Sequence, residues 1–275
     1  MIMMRKMKKI IGLLPYLQLL QLFRGNIIIK KKGATLIVDK STKLSWCRIL
    51  LDENTTLEIG KGCVLHKAYI YIRNKKKKSW ANSCCLFGAG CYVQKTVFLI
   101  EDGYFKASEK NIFQRGNKVE YPHYIVTGTV HIGNHNRFRN DLWVRYGGQI
   151  VIGDYTNVNE HSEIRCDEYV RIGSFNQISY NVMIWDTNTH VIYPYLERRK
   201  ISMNKGLGYE YEKPVTSPVI IGDDCWIGQY SSVMKGTIIG NKCIVGYHTL
   251  LVKEILEPNT TVISKNETRK IKNNI

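Results

Sequence analysis

A six-residue repeat runs through residues 219–252 and constrains the fold more than any other feature of the chain. Each repeat begins with an aliphatic residue, and a glycine follows directly in four of the six. The aliphatic residues are Ile221, Ile227, Val233, Ile239, Val245 and Leu251. Four residues after each of the first five comes a small side chain: Cys225, Ser231, Thr237, Cys243 and Thr249.

Repeats this short are typical of a parallel β-helix, because each hexad supplies one strand and one turn and three hexads close a triangular coil. The aliphatic residue points inward, and the glycine permits a tight corner where other side chains would be strained. One coil cannot bury its own inner face, so coils stack. Hairpin turns could also contain Gly-Asp pairs, but they would show a period of two and irregular spacing. Hexads that stay in phase favour the solenoid.

The composition is compatible with this fold but does not identify the ligand that the protein binds. The 275 residues suit one solenoid with insertions, and 44% hydrophobic content can fill its interior. A formal net charge of +17 would attract nucleic acid, anionic lipid head groups, phosphorylated cofactors or acidic glycans. Composition does not choose among these classes.

The eight cysteines show no CxxC spacing. Cys91, Cys225 and Cys243 occupy the small inward position of a hexad, where a thiol acts as a small hydrophobe. We therefore predict reduced core cysteines in a cytoplasmic protein, rather than disulfides or zinc ligands.

Residues 1–25 begin with basic side chains and continue with an apolar stretch, which predicts an amphipathic helix. The stretch is too short to cross a membrane and lacks the small-residue cleavage site of a signal peptide. Two interpretations remain: a helix that caps the solenoid, or a peripheral contact with the inner face of the cytoplasmic membrane.

The chain then divides into three further parts. Residues 26–129 predict irregular coils interrupted by two insertions, 73–83 and 101–129, the first of which contains four consecutive lysines. Residues 130–255 predict regular coils, several of which start 20 residues apart, so a two-residue bulge recurs at one corner. Residues 256–275 form a basic tail.

Residues 185–218 depart from the repeat, and long loops in compact folds are usually functional. His190 lies near the start of this loop, and a histidine can act as a general base near neutral pH. Asp186 is close enough in sequence to orient the imidazole. The alternative is a surface histidine beside a turn-forming aspartate.

Residues 186–190, the loop, and then 218–228 (PVIIGDDCWIG) together resemble the hexapeptide-repeat acyltransferases. The resemblance is closest to O-acetyltransferases that decorate bacterial surface polysaccharides, and it covers residues 130–275. It implies a mainly β, left-handed parallel β-helix and a homotrimer with acetyl-CoA bound between subunits.

The same resemblance implies roles for individual residues. His190 would activate the acceptor hydroxyl, Asp186 would orient His190, and Trp226 would form one wall of the site. The implied acetyl-CoA contacts are Gly228, Gln229, Tyr247, Val252, Lys253, Arg269 and Lys270. In the Tyr-rich, basic loop, Tyr193 would stack on a sugar ring, while Arg198 and Arg199 would meet an acidic sugar.

The predicted activity is therefore direct acetyl transfer from acetyl-CoA to a sugar hydroxyl of a surface polysaccharide or its precursor. Alternatives are N-acyl transfer to an amino or nucleotide sugar, and a non-catalytic basic solenoid that binds a polyanion. No metal is expected. A metal enzyme of the γ-carbonic-anhydrase type needs three converging histidines, and no pair of histidines lies at a suitable spacing near His190. No nucleic acid is expected either, because the aromatic residues are not interleaved with the lysines.

Overall fold

The computed structural model describes residues 25–75, 82–115, 123–206 and 212–265. Thirty short strands in these ranges form three parallel sheets of ten strands, and each sheet takes every third strand of the chain. The chain is therefore a parallel β-solenoid of ten coils, in which coil 1 contains β1 to β3 and coil 10 contains β28 to β30. The predicted mainly β, hexapeptide-repeat solenoid is confirmed.

The three sheets are named A, B and C in the order in which a coil visits them. Sheet A contains β1 (Ile27–Lys30), β4 (Arg48–Leu51), β7 (Tyr69–Arg73), β10 (Val97–Glu101), β13 (Tyr124–Val126), β16 (Asp141–Val144), β19 (Glu163–Cys166), β22 (Met183–Trp185), β25 (Ser232–Met234) and β28 (Leu250–Val252). Sheet B contains β2 (Thr35–Val38), β5 (Thr56–Ile59), β8 (Cys84–Phe87), β11 (Tyr104–Ala107), β14 (Thr129–Ile132), β17 (Gln149–Ile152), β20 (Tyr169–Ile172), β23 (Val219–Ile221), β26 (Ile238–Ile239) and β29 (Ile255–Leu256). Sheet C contains β3 (Lys43–Ser45), β6 (Val64–His66), β9 (Tyr92–Gln94), β12 (Ile112–Gln114), β15 (Arg137–Phe138), β18 (Asn157–Val158), β21 (Gln177–Ile178), β24 (Trp226–Ile227), β27 (Ile244–Val245) and β30 (Thr261–Val262). One α-helix, α1 (Tyr195–Lys205), lies between β22 and β23.

The small inward position of each hexad is a hydrogen-bonding position as well as a narrow one. At the corner between sheets B and C, the Asn176 side chain donates to the Gly222 carbonyl (2.9 Å) and accepts from the Cys225 amide (2.7 Å). The Cys225 thiol in turn contacts the Gly240 carbonyl at 3.1 Å. Six of the eight cysteines therefore do more than act as small hydrophobes, because their thiols also contact a backbone carbonyl of the neighbouring coil: Cys47, Cys63, Cys91, Cys166, Cys225 and Cys243.

The N-terminal half departs from the prediction. The predicted insertion at 101–129 is wrong for most of its length, since β11 and β12 lie within it and complete coil 4. Phe105 and Phe113 are buried there, in interior positions where the repeat elsewhere has an aliphatic residue. Aromatic side chains bury apolar area as well as aliphatic ones do, so the coil forms although the sequence pattern is lost.

Those phenylalanines belong to an aromatic core that is specific to coils 3 to 5. Its members are Phe87, Phe98, Phe105, Phe113, Tyr124 and Phe138. Neighbouring rings lie 4.7–6.1 Å apart, in stacked, tilted and edge-to-face arrangements. The C-terminal coils are filled mainly by Ile and Val instead. Both fillings exclude water from the prism and fix the corners from which loops leave.

Five segments of the chain lie outside the described residues. They are residues 1–24, 76–81, 116–122, 207–211 and 266–275, and they include most of the predicted N-terminal helix and basic tail and part of each predicted insertion. Among the helices of the described ranges, none is both long and apolar enough to span a membrane.

His123 gives the fold a pH-dependent stability. Its buried Nδ1 accepts a hydrogen bond from the Val97 amide (3.1 Å), and burial lowers the pKa of His123 to about 4. In the unfolded chain the same group titrates near 6.5. Below that pH the unfolded state binds a proton that the native state does not bind. The contribution of His123 to the free energy of unfolding is therefore fully present above pH 6.5 and falls toward pH 4.

We expect the free energy of unfolding to fall by at most about 3 kcal/mol between pH 6.5 and 4, because His123 is protonated in the unfolded chain but not in the native one. His123→Asn keeps an acceptor for the Val97 amide and removes the titration. Urea unfolding of both proteins at pH 7, 5.5 and 4.5 measures the difference. Equal slopes against pH in the two proteins would show that His123 does not carry the effect.

Candidate active site

The loop between β22 and β23 leaves the solenoid at the corner that joins sheet A to sheet B, named here the A–B corner. Two backbone hydrogen bonds hold its ends side by side. The Asn188 amide donates to the Val215 carbonyl (3.1 Å), and the Ser217 amide donates to the Asp186 carbonyl (2.9 Å). The outgoing and returning strands of the loop are therefore fixed to each other before the chain reaches His190.

Asp186 is fully buried at this corner. Its carboxylate accepts from the backbone amides of Asp167 (2.8 Å), Glu168 (2.7 Å) and Tyr169 (2.7 Å). Burial raises the pKa of Asp186, and these three hydrogen bonds oppose that rise. The carboxylate thus holds the corner of the preceding coil, and its role in orienting His190 stays a prediction.

Arg145 links three coils at the same corner. Its guanidinium makes a two-point ion pair with the fully buried carboxylate of Asp167, at 2.9 and 2.7 Å. One of its nitrogens also donates to the carbonyl of Thr189 (3.3 Å), the residue directly before His190. Because Thr189 has a positive φ of 66°, the chain turns sharply there, and Arg145 fixes that turn.

Arg145 was missed by sequence reasoning because it precedes His190 by two coils. The signal that could have found it is the regular coil length. Arg145 and Asp167 each follow directly on a strand of sheet A, as Asp186 does, so all three belong to one corner. The ion pair and the bond from Arg145 to Thr189 therefore tie three successive coils together where the loop leaves.

His190 itself is exposed to solvent at the start of the loop. Beyond it, the predicted loop contains helix α1, which carries Arg198 and Arg199 on its exposed surface. None of the residues of α1 is buried, whereas Tyr193, just before the helix, is half-buried. The histidine and the two arginines therefore stand together on a segment that projects from the solenoid.

Val252 and Lys253 lie at the A–B corner of the last coil. The Lys253 amide donates to the Lys235 carbonyl of the coil below (3.2 Å), and its φ is +56°. His190, Asp186, Val252 and Lys253 thus belong to the same A–B corner, on coils 8 and 10. Arg269 and Lys270 lie outside the described residues.

The remaining predicted contacts lie on another side of the prism. Trp226 begins β24 in sheet C, is exposed, and its indole N–H donates to the Ser179 hydroxyl (3.3 Å). Gly228 and Gln229 follow at the corner between sheets C and A, and Tyr247 lies there one coil later. A side chain on Gly228 would meet the Val245 carbonyl oxygen at 2.7 Å, which explains the glycine.

These two groups do not meet within one chain. Sheet C forms the side of the triangle opposite the A–B corner, so Trp226 faces away from the base of the His190 loop. Among the described residues, no group of three or more His, Cys, Asp and Glu side chains is placed to hold a metal ion.

Comparison with protein families places one stretch of the chain. Residues 218–253 match the family model described as bacterial transferase hexapeptide (six repeats). The resemblance predicted from the sequence is thereby confirmed for this stretch, which contains Trp226, Gly228, Gln229, Tyr247 and Val252. The chain matches none of the curated proteins compared with it.

Solved structures with a similar fold include three acetyltransferases. One is the polysialic acid O-acetyltransferase OatWY, with 16% identity over 91% of this chain and 94% of that one and a TM-score of 0.41. A hexapeptide-repeat acetyltransferase from Vibrio cholerae has 21% identity over 49% of this chain and 68% of that one, with a TM-score of 0.40. The polySia-specific acetyltransferase NeuO has 12% identity over 91% and 92% of the two chains, with a TM-score of 0.38. At TM-scores below 0.5, none of them assigns a substrate to this chain.

Asp186→Asn is expected to reduce the free energy of unfolding by about 2–3 kcal/mol, because an amide nitrogen would face backbone N–H groups that lose their acceptor. Asp224→Asn is the matched control, since Asp224 is an exposed corner residue with a φ of 59° that Asn adopts readily. Chemical denaturation measures both variants. An Asp186 variant as stable as the control would contradict the structural role of this carboxylate.

Proposed function

We propose that the protein transfers an acetyl group from acetyl-CoA to a sugar hydroxyl of a bacterial surface polysaccharide or its precursor. The observation that carries the proposal is the exposed His190, near the start of a loop whose base is held by Arg145 and by its paired ends and which leads into the stretch that matches the transferase hexapeptide model. A histidine fixed at its backbone but open to solvent suits a base that must meet a substrate hydroxyl.

In the proposed reaction the neutral imidazole of His190 takes the proton of the acceptor hydroxyl. The resulting oxygen nucleophile attacks the thioester carbonyl, and the CoA thiolate leaves with the proton that His190 returns. Arg145 acts as a positioning residue, because it fixes the Thr189 carbonyl beside the base. No covalent enzyme intermediate is required in this scheme.

The distribution of the candidate residues favours a site between subunits. A ring of identical subunits joins two different surfaces of the chain at every interface. In the proposed homotrimer, the A–B corner of one subunit would face sheet C of the next, which would bring His190 to Trp226. Exposed Trp226, Ile244 and Tyr247 on and beside sheet C support an interface there, since they would be covered by it.

Acetyl-CoA would lie along this interface. Tyr247 and Gln229, on successive coils, would contact its pantetheine arm, and Lys253 with Arg269 and Lys270 would meet its phosphates through charge-assisted hydrogen bonds. The acceptor would contact α1, where Arg198 and Arg199 offer positive charge to an acidic sugar. We expect the reaction in the cytoplasm, an expectation that the eight free cysteines support.

His190→Ala is expected to reduce turnover by a factor of about 10² or more, with unchanged stability, because the base is lost and nothing buried is disturbed. His131→Ala is the matched control: His131 is partly exposed in β14, three coils from the loop. Release of free CoA thiol from acetyl-CoA in the presence of bacterial capsular oligosaccharides measures both. Full activity in the His190 variant would reject the assignment.

Mixing subunits tests the interface. If His190 and Trp226 of each site come from different subunits, trimers assembled from His190→Ala and Trp226→Ala chains contain about one intact site in four. Each variant alone should be inactive, and co-refolded mixtures should recover roughly a quarter of wild-type turnover. A mixture as inactive as the single variants would show that both residues act within one chain or not at all.

A further inference from the structure

Positive charge is concentrated in the first coils that the structure describes. Residues 25–75 contain ten Lys and Arg and four Asp and Glu, whereas the described residues between 82 and 265 contain 18 and 16. The first range therefore has a net charge of +6, and the second, more than three times as long, a net charge of +2. The described coils that carry the candidate active site are nearly neutral, so this charge lies away from that site.

The same end exposes large apolar side chains among the lysines. In coil 1 and at its corner, Ile27, Ile29, Ile37 and Trp46 are 48%, 52%, 51% and 61% exposed. Lys30, which ends β1, is exposed as well. Charged side chains alone would suffice to attract a soluble polyanion, whereas the exposed isoleucines and the indole beside them favour a partner with an apolar layer.

A groove at the A–B corner of coils 1 to 3 combines both features. Its volume is about 430 Å³. Its lining consists of Ile29, Lys31, Leu50, Leu51, Asp52, Ile72, Arg73 and Lys75. The floor is aliphatic and the rim carries three cations, of which Lys31 pairs with Asp52 and Lys75 pairs with Glu101 at 2.6 Å. Arg73 ends β7 beside them with an exposed side chain.

We propose that coils 1 to 3 form a docking surface for an anionic phospholipid membrane, with lipid headgroup phosphates at the rim of the groove. Basic residues attract the negative surface of the bilayer, and exposed apolar side chains enter its headgroup layer. A nucleic acid or an acidic glycan would satisfy the charge but would leave the aliphatic floor and the exposed isoleucines without a partner. This contact lies on described residues and does not depend on residues 1–24.

Docking at this end would fix where the candidate active site stands. Coil 8, which carries the His190 loop, lies five coils beyond coil 3. At about 4.8 Å per strand spacing, the loop lies roughly 25 Å from the groove along the solenoid axis, at the same A–B corner. A protein docked through this corner would therefore present the loop to acceptor groups at the same bilayer surface.

The test uses the full chain and lipid vesicles. We expect binding to vesicles of phosphatidylcholine with 30% phosphatidylglycerol, little binding to pure phosphatidylcholine vesicles, and weaker binding at higher salt. The combined Lys31→Ser, Arg73→Ser and Lys75→Ser variant should bind the anionic vesicles at least about tenfold more weakly, since each basic residue contributes several-fold. Co-sedimentation measures the affinity, and thermal melting shows that the variant is folded.

The matched control removes the same charge elsewhere, by replacing Lys106, Lys110 and Lys242, all exposed, with serine. Equal losses in the two triple variants would overturn the groove, because net charge alone would then explain binding. Ile29→Ser with Ile37→Ser should also weaken binding, whereas the exposed Ile263→Ser should not. Failure of anionic vesicles to bind, or full displacement by polyglutamate at low concentration, would reject the membrane as the partner.

Discussion

The parallel hydrogen-bond ladder between coils is the constraint on which the rest of this structure depends. Every strand in the described ranges pairs only with strands of the adjacent coils, so each coil must present its backbone groups in register with the next. Strands in this arrangement cannot absorb extra residues, whereas corners can. The chain can therefore diverge from the repeat only where one sheet gives way to the next.

Corners are accordingly where this protein departs from the solenoid. Extra residues occur at the A–B corner after β7 and after β22, and at the C–A corner after β12. At the departure after β22, the one buried carboxylate of Asp186 accepts from three backbone amides of the preceding coil. A loop that leaves the solenoid here therefore depends on a buried polar group beneath it, because an unsatisfied amide in the interior is costly.

The ion pair of Arg145 and Asp167 extends this support outward. A fully buried carboxylate without a partner destabilises the fold. The Asp167 carboxylate is tolerated because the Arg145 guanidinium pairs with it at two points and both side chains are well fixed. That fixed guanidinium then reaches the Thr189 carbonyl, so the backbone beside His190 is held in place. The buried groups support the loop, and His190 itself is exposed to solvent.

The sequence alone determined the solenoid, because the hexad places an inward residue, a tight turn and a small interior side chain at fixed intervals over residues 219–252. It also determined the long loop and His190 as the chemical candidate. It failed in coil 4, where Phe105 and Phe113 fill the interior without the aliphatic-glycine pattern, since burial depends on volume and not on residue type. Only the tertiary structure decided that Asp186 supports a corner, that Arg145 clamps the loop, and that Trp226 faces away from His190. Those facts depend on which coils stack at which corner, a long-range relationship that the spacing of residues along the chain does not contain.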